Sequence, residues 1–140
     1  MRYGIWVFVV VLVIGAVIVF VGNRNSAESA ANSFMQALAD KDIDTLVRLS
    51  YFDSPPADLR EQWDHCLNHA AKNYVFVWNF VDIRYPLPKK AVVSVVFIEY
   101  TTPMGQENPE PVELPLIDTD HGWKVNMDEI PRKFFPYLPR

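Results

Sequence analysis

At 140 residues, half of them hydrophobic and 14% aromatic, the chain has room for one domain with a single core and not for two. A formal charge of −4, with Lys and Arg scattered along the chain, excludes a nucleic-acid surface, which needs clustered cations against phosphate. The one cysteine, Cys66, excludes an internal disulfide, so burial and hydrogen bonds must hold the fold.

The first predicted element is residues 3–21, YGIWVFVVVLVIGAVIVFV, which carry no charge. At ~1.5 Å rise per residue this run reaches roughly 30 Å, the hydrocarbon thickness of a bilayer. A transmembrane anchor is therefore expected within residues 1–22, with Tyr3 and Trp6 at the headgroup level. A cleavable signal would have a shorter apolar core, about 7–15 residues, and a small-x-small site close behind it. Here the small-residue sites at 27–29 and 29–31 lie well past the core, which favours an uncleaved span. Arg2 precedes the span, and Arg24 behind it is countered by Glu28. The positive-inside bias then puts the N-terminus in the cytoplasm and the remaining domain outside it, as in a single-pass protein with a periplasmic domain.

Residues 23–26 read as a linker and 27–130 as the domain. Ala27, Ala30, Ala31, Phe34, Ala37 and Leu38 form the 3.6-residue stripe of an amphipathic helix. Asp42 is placed to cap a second, short helix with Ile43, Leu46, Val47 and Leu49 on its apolar face. Ser54-Pro55-Pro56 starts a third helix, because proline in a first turn sacrifices no hydrogen bond. That helix is expected to run to about Lys72, with Leu59, Trp63, Cys66, Leu67 and Ala70 on one face.

The period changes at Asn73. Residues 74–85 and 91–102 are rich in β-branched and aromatic residues and predict two long strands, joined by a hairpin loop at 86–90. Residues 112–117 predict a third strand, in which Pro115 signals an edge or a bulge. A turn at 118–122 leads into a last strand at 123–127. The tail, 131–140, has too many prolines for regular structure. Three helices followed by a four-stranded antiparallel meander make an α+β domain with helices packed on one sheet face.

SAANSFMQALADKDIDTLVRLS (29–50), an alanine-rich helix, an Asp-containing break and a second helix, resembles the opening of the nuclear transport factor 2-like (cystatin-like) superfamily. DTDHGWKVNM (118–127) resembles its turn followed by a Trp-bearing last strand. The resemblance covers about residues 27–130 and implies helices packed on a curved antiparallel sheet, with a cone-shaped cavity between them. Membrane-anchored members with this layout include scaffold subunits of secretion assemblies. It implies no chemistry, because the fold hosts enzymes, binders and scaffolds alike.

Several residues carry groups capable of chemistry. His65 and His69 stand four apart on one helix, but zinc needs a third protein ligand and none is evident, so no metal or cofactor is expected. Ketosteroid-isomerase-like members use a pocket carboxylate and a tyrosine, and Asp82, Glu99, Tyr85 and Tyr100 are the residues here that could be assembled into such a set. Each lies near a strand end, where solvated charges are ordinary, so no catalytic residue is expected. Trp63, Trp78 and Trp123 are candidates to line a cavity, or else form the core. Cys66 lies on an apolar helix face and reads as a buried hydrophobe, and His121 as a turn residue.

Both long strands are apolar on both faces, whereas an antiparallel sheet covered on one side alternates apolar with polar. The uncovered face would then be an interface, with Val93, Val95 and Phe97 of the sheet and Phe134, Phe135 and Tyr137 of the tail as its candidates. The bland reading is that sheet curvature and the tail cover that face internally. The expected function is a non-catalytic accessory or scaffold subunit that docks its domain onto a larger membrane assembly. Its partners would be the bilayer and other subunits, or a second copy. The alternative is a small apolar-ligand binder or isomerase-like enzyme that uses the cone cavity.

Overall fold

The computed structural model describes residues 26–69, 76–99 and 110–140. The expected membrane span, residues 3–21, lies outside the described residues. Among those that are described, no helix is long and apolar enough to cross a membrane.

Helix α1 (Ala27–Asp40) begins where the Ser26 hydroxyl accepts the Ser29 amide at 3.0 Å. It ends at Lys41, whose left-handed backbone (φ 57°) turns the chain. All six residues of the predicted stripe are buried, joined by Met35. Phe34 is fully buried, and an aromatic buried to that degree stabilises by roughly 1.5–3 kcal/mol. Asp42 caps α2 (Ile43–Leu49) as expected, and Leu46 and Leu49 point into the core. Helix α3 (Leu59–His69) buries Trp63, Cys66 and Leu67 and packs against α2.

Among the described residues the sheet has five strands where four were expected. These are β1 (Ser50–Tyr51), β2 (Phe76–Leu87), β3 (Lys90–Glu99), β4 (Val112–Thr119) and β5 (Gly122–Asn126), in the order β1-β5-β4-β3-β2. The additional strand, β1, runs parallel to β5 in the register Ser50↔Val125, so the sheet is mixed and not wholly antiparallel. Two residues that continue straight out of a helix have no hydrophobic period of their own. Pro115 was expected at an edge or bulge. It lies in an inner strand, paired with Val92, but the β4–β5 ladder starts one residue later, at Leu116. At that position β4 is paired on one side only, where a missing amide donor is tolerated.

Two register shifts in β2, at Phe80/Asp82 and Arg84/Leu87, bend the sheet. Two strands separate β2 from β5, a gap of roughly 14 Å in a flat sheet at ~4.8 Å per step. Tyr85 of β2 and Trp123 of β5 nevertheless bring their ring centroids within 6.2 Å, edge to face. The sheet is thus strongly curved, with α1 and α2 on its concave side.

The tail has no regular structure, as expected, but it is part of the core. Phe134 and Phe135 are buried, the Cys66 thiol donates to the Pro136 carbonyl at 3.3 Å, and the Arg140 amide donates to Gln62 Oε1 at 2.8 Å.

Candidate functional site

The first candidate was the sheet face carrying Val93 and Val95. Both valines are fully buried. They face the helices together with Ala91, Leu114, Leu116 and Val125, so their assignment to an outward interface is corrected. The outward residues of β3 are Val92, Ser94 and Val96, which are half-buried. Arg84 reaches across β3 to Glu113 at 2.5 Å, laying its aliphatic stem on that face. Phe134 and Phe135 are likewise core residues and not interface residues. Of the tail candidates only Tyr137 is exposed. The side chain of Phe97 lies outside the described ones.

Large apolar side chains do reach solvent, but on β2. Val77 is 51% exposed, Val81 54%, and Tyr85 and Leu87 57% each. Among the described residues β2 pairs only with β3, which makes it the terminal strand. Straight alternation does not point to this strip, because the extra residue at Val81 breaks the period of two.

The second candidate was a carboxylate beside a tyrosine inside the cone. Asp82 pairs with Ser94 on the convex face and is exposed, so it does not point into the concavity. The Glu99 side chain and Tyr100 lie outside the described ones. Tyr85 does reach the concave side, where its neighbour is Trp123 and not an acid.

The three candidate tryptophans sit among three different sets of neighbours. Trp63 is fully buried, with its ring edge-on to Phe34 at 5.9 Å. Its indole N–H donates to Ser50 Oγ at 3.0 Å, and that hydroxyl donates to the Leu46 carbonyl at 2.6 Å. A buried indole must find an acceptor, and here the start of β1 supplies it. Trp78 is half-buried and reaches from β2 to α1, where its Nε1 donates to Asn32 Oδ1 at 3.3 Å. Trp63 is therefore core, while Trp78 and Trp123 pack against the edge of that core.

The His65 and His69 rings stack at 4.0 Å with a 30° tilt, and His69 Nδ1 lies 3.0 Å from the His65 carbonyl. Tyr137 meets His65 edge-on at 5.8 Å. Among the described residues no three His, Cys, Asp or Glu side chains come together as a metal site. Burial pushes the Cys66 thiol up to about 12, so it stays protonated and poorly nucleophilic at neutral pH.

No protein-family model and no curated protein matches the chain. Solved structures do. An uncharacterised protein with a cystatin-like fold from Caulobacter vibrioides superposes with a TM-score of 0.53 at 15% identity, over 70% of this chain and 80% of its own. A ketosteroid isomerase-like protein from Erwinia carotovora atroseptica gives a TM-score of 0.48 at 12% identity, over 74% and 90%. At such identity a likeness speaks for fold and not for activity. The domain has a cystatin-like α+β fold, with helices on the concave face of a curved five-stranded sheet.

Proposed function

We propose that this chain is a membrane-tethered, non-catalytic accessory subunit whose domain docks onto a neighbouring protein of the same membrane assembly through strand β2. The observation that supports this most is the strip formed by Val77, Val81 and Leu87, each more than half exposed on one terminal strand. Scattered exposed valines need no explanation, but three large apolar side chains along one strand edge form a patch that water disfavours. An extended segment of a partner would complete the backbone pairing of β2 and cover these side chains at once. The tether, residues 3–21, would hold the domain at a fixed height above the bilayer and raise its effective concentration beside such a partner.

The test is Val77→Asp combined with Val81→Lys in the full chain, expressed in its native membrane. The domain should stay folded while the proteins that co-purify with the parent chain are lost. Unchanged co-purification from a folded double variant overturns the docking reading. A parent chain that is a dimer by analytical ultracentrifugation, made monomeric by the same changes, replaces the foreign subunit with a second copy.

A further inference from the structure

Two turns at one end of the sheet and the start of α1 form a single pole of the domain. Ser26, the α1 cap, shares a cleft with His121, Gly122 and Trp123, so α1 begins beside the β4–β5 turn. The β2–β3 turn adjoins it, because Lys90 pairs with Ile117 and the Asp118 amide donates to the Lys89 carbonyl at 2.8 Å. On the concave side the ring contact of Tyr85 with Trp123, at 6.2 Å, ties the same two hairpins together. Thr119 Oγ1 donates to the Gly122 carbonyl at 2.7 Å and accepts the His121 amide at 3.2 Å, which fixes the shape of the second turn.

This pole is amphipathic. Tyr85 and Leu87 are each 57% exposed at the end of β2, between the exposed Pro86 and Pro88, and Trp123 is half-buried behind them. Lys89 stands exposed in the same turn, and residues 85–90 include no carboxylate. Such a mixture suits the headgroup layer of a bilayer, where rings and aliphatic side chains leave water while an ammonium stays in it. The other end of α1 differs in kind, with Asp40, Lys41, Asp42 and Asp44 all exposed.

The length of the tether decides which pole meets the lipid. From Val21, the last residue of the apolar run, to Ser26 the chain spans at most about 18 Å in any conformation. The headgroup layer takes up at least about 5 Å of that. Ser26 would therefore stand no more than about 13 Å clear of the headgroups, less than the ~21 Å length of the 14-residue helix α1. We infer that the β2–β3 turn rests on the phospholipid surface, with Tyr85 and Leu87 in the headgroup layer and Trp123 at its margin. Lys89 is offset by the exposed Asp120 of the adjoining turn, so the contact depends on the apolar side chains and needs no anionic lipid. The inference rests on the tether proposed above but not on docking, because Val77 and Val81 lie further along β2, away from the bilayer, where a neighbouring subunit would reach them.

The full chain carrying Lys89→Cys is labelled there with bimane and reconstituted into phosphatidylcholine vesicles, with and without phosphatidylcholine that bears a nitroxide on its headgroup. Cys66 is buried and does not compete for the label. Asp40→Cys, at the other end of α1, is the comparison position. The nitroxide should quench the probe at position 89 by at least about twofold and the probe at position 40 hardly at all, since only the first lies at headgroup level. Adding Tyr85→Ser with Leu87→Asp, both at exposed positions, should remove at least about half of that quenching, with circular dichroism checking the fold. Adding Val77→Asp with Val81→Lys should leave it unchanged. Equal quenching at the two positions overturns the inference, as does quenching at position 89 that survives the loss of Tyr85 and Leu87 in a folded chain. A chain that floats with the vesicles but is unquenched at position 89 overturns this inference alone. A chain that does not float with them overturns the tether as well.

Discussion

Val95 and Val81 sit on neighbouring strands of one sheet, and a lysine at each should have opposite consequences. Val95 is fully buried; its cross-strand neighbours, Phe80 and Val112, offer no side-chain acceptor for an ammonium. Losing the buried valine costs about 1.5–3 kcal/mol. Forcing an amine into that site, even after it sheds its proton, adds a desolvation cost of about 1–3 kcal/mol. A domain of this size is stable by only about 5–15 kcal/mol, and each kcal/mol moves the melting temperature by about 4–8 °C. Val95→Lys is therefore expected to lower the melting temperature by about 10 °C or more, or to prevent folding. Val81 is 54% exposed at a bulge, so Val81→Lys should stay within about 0.5 kcal/mol of the parent. Thermal melts followed by circular dichroism decide the matter. Equal shifts for the two variants would refute the face assignment on which both the core and the proposed docking strand depend.

Two further predictions concern what holds the domain together. Ser50→Ala should cost about 1–3 kcal/mol in urea unfolding, because it strands the buried Trp63 indole N–H. In a Trp63→Phe background the same change should cost at least about 1 kcal/mol less, and a coupling below ~0.5 kcal/mol would show that the hydrogen bond is not the source. The Asp42 carboxyl is held below its ordinary pKa chiefly by the Thr45 hydroxyl, which donates to it at 2.7 Å, and then by the Thr45 amide. A depressed folded pKa means that its contribution is present above the unfolded value, about 3.9, and is lost as pH falls through the folded one. The urea midpoint of the parent should therefore exceed that of Asp42→Asn at neutral pH and converge with it below about pH 4, whereas a constant gap would exclude titration of Asp42 as the cause.

The helical half of the domain was legible because its signals are local. Ala27, Ala30, Ala31, Phe34, Ala37 and Leu38 repeat with the helix period, and Asp42 is a cap whose partner lies three residues on. The sheet was legible in its strands but not in its faces. Where both sides are mainly apolar, alternation does not say which side the helices choose, and Val93 and Val95 were assigned to the wrong one. Strand β1 left no trace, since two residues carry no period and the partner that makes Ser50 and Tyr51 a strand lies at the far end of the chain.

One residue accounts for much of what the strand pattern concealed. Counted by straight alternation, Trp78, Phe80 and Asp82 share a face, which would put Asp82 inside the cone. Phe80 does pair with Val95 on the concave side, yet Asp82 pairs with Ser94 on the convex side, because Val81 is an extra residue between them. Beyond it the parity is reversed. Ile83 now pairs with Val93 and packs on the core, while Val77, on the same face as Ile83 by simple counting, is left 51% exposed. The strand seemed apolar on both faces because its apolar set changes sides partway along. A bulge of this kind costs one unpaired residue and returns both curvature and a redirected side chain. Here it sends the carboxylate out to solvent, turns Ile83 inward, and leaves Val81 at the centre of the apolar strip that a partner strand would cover.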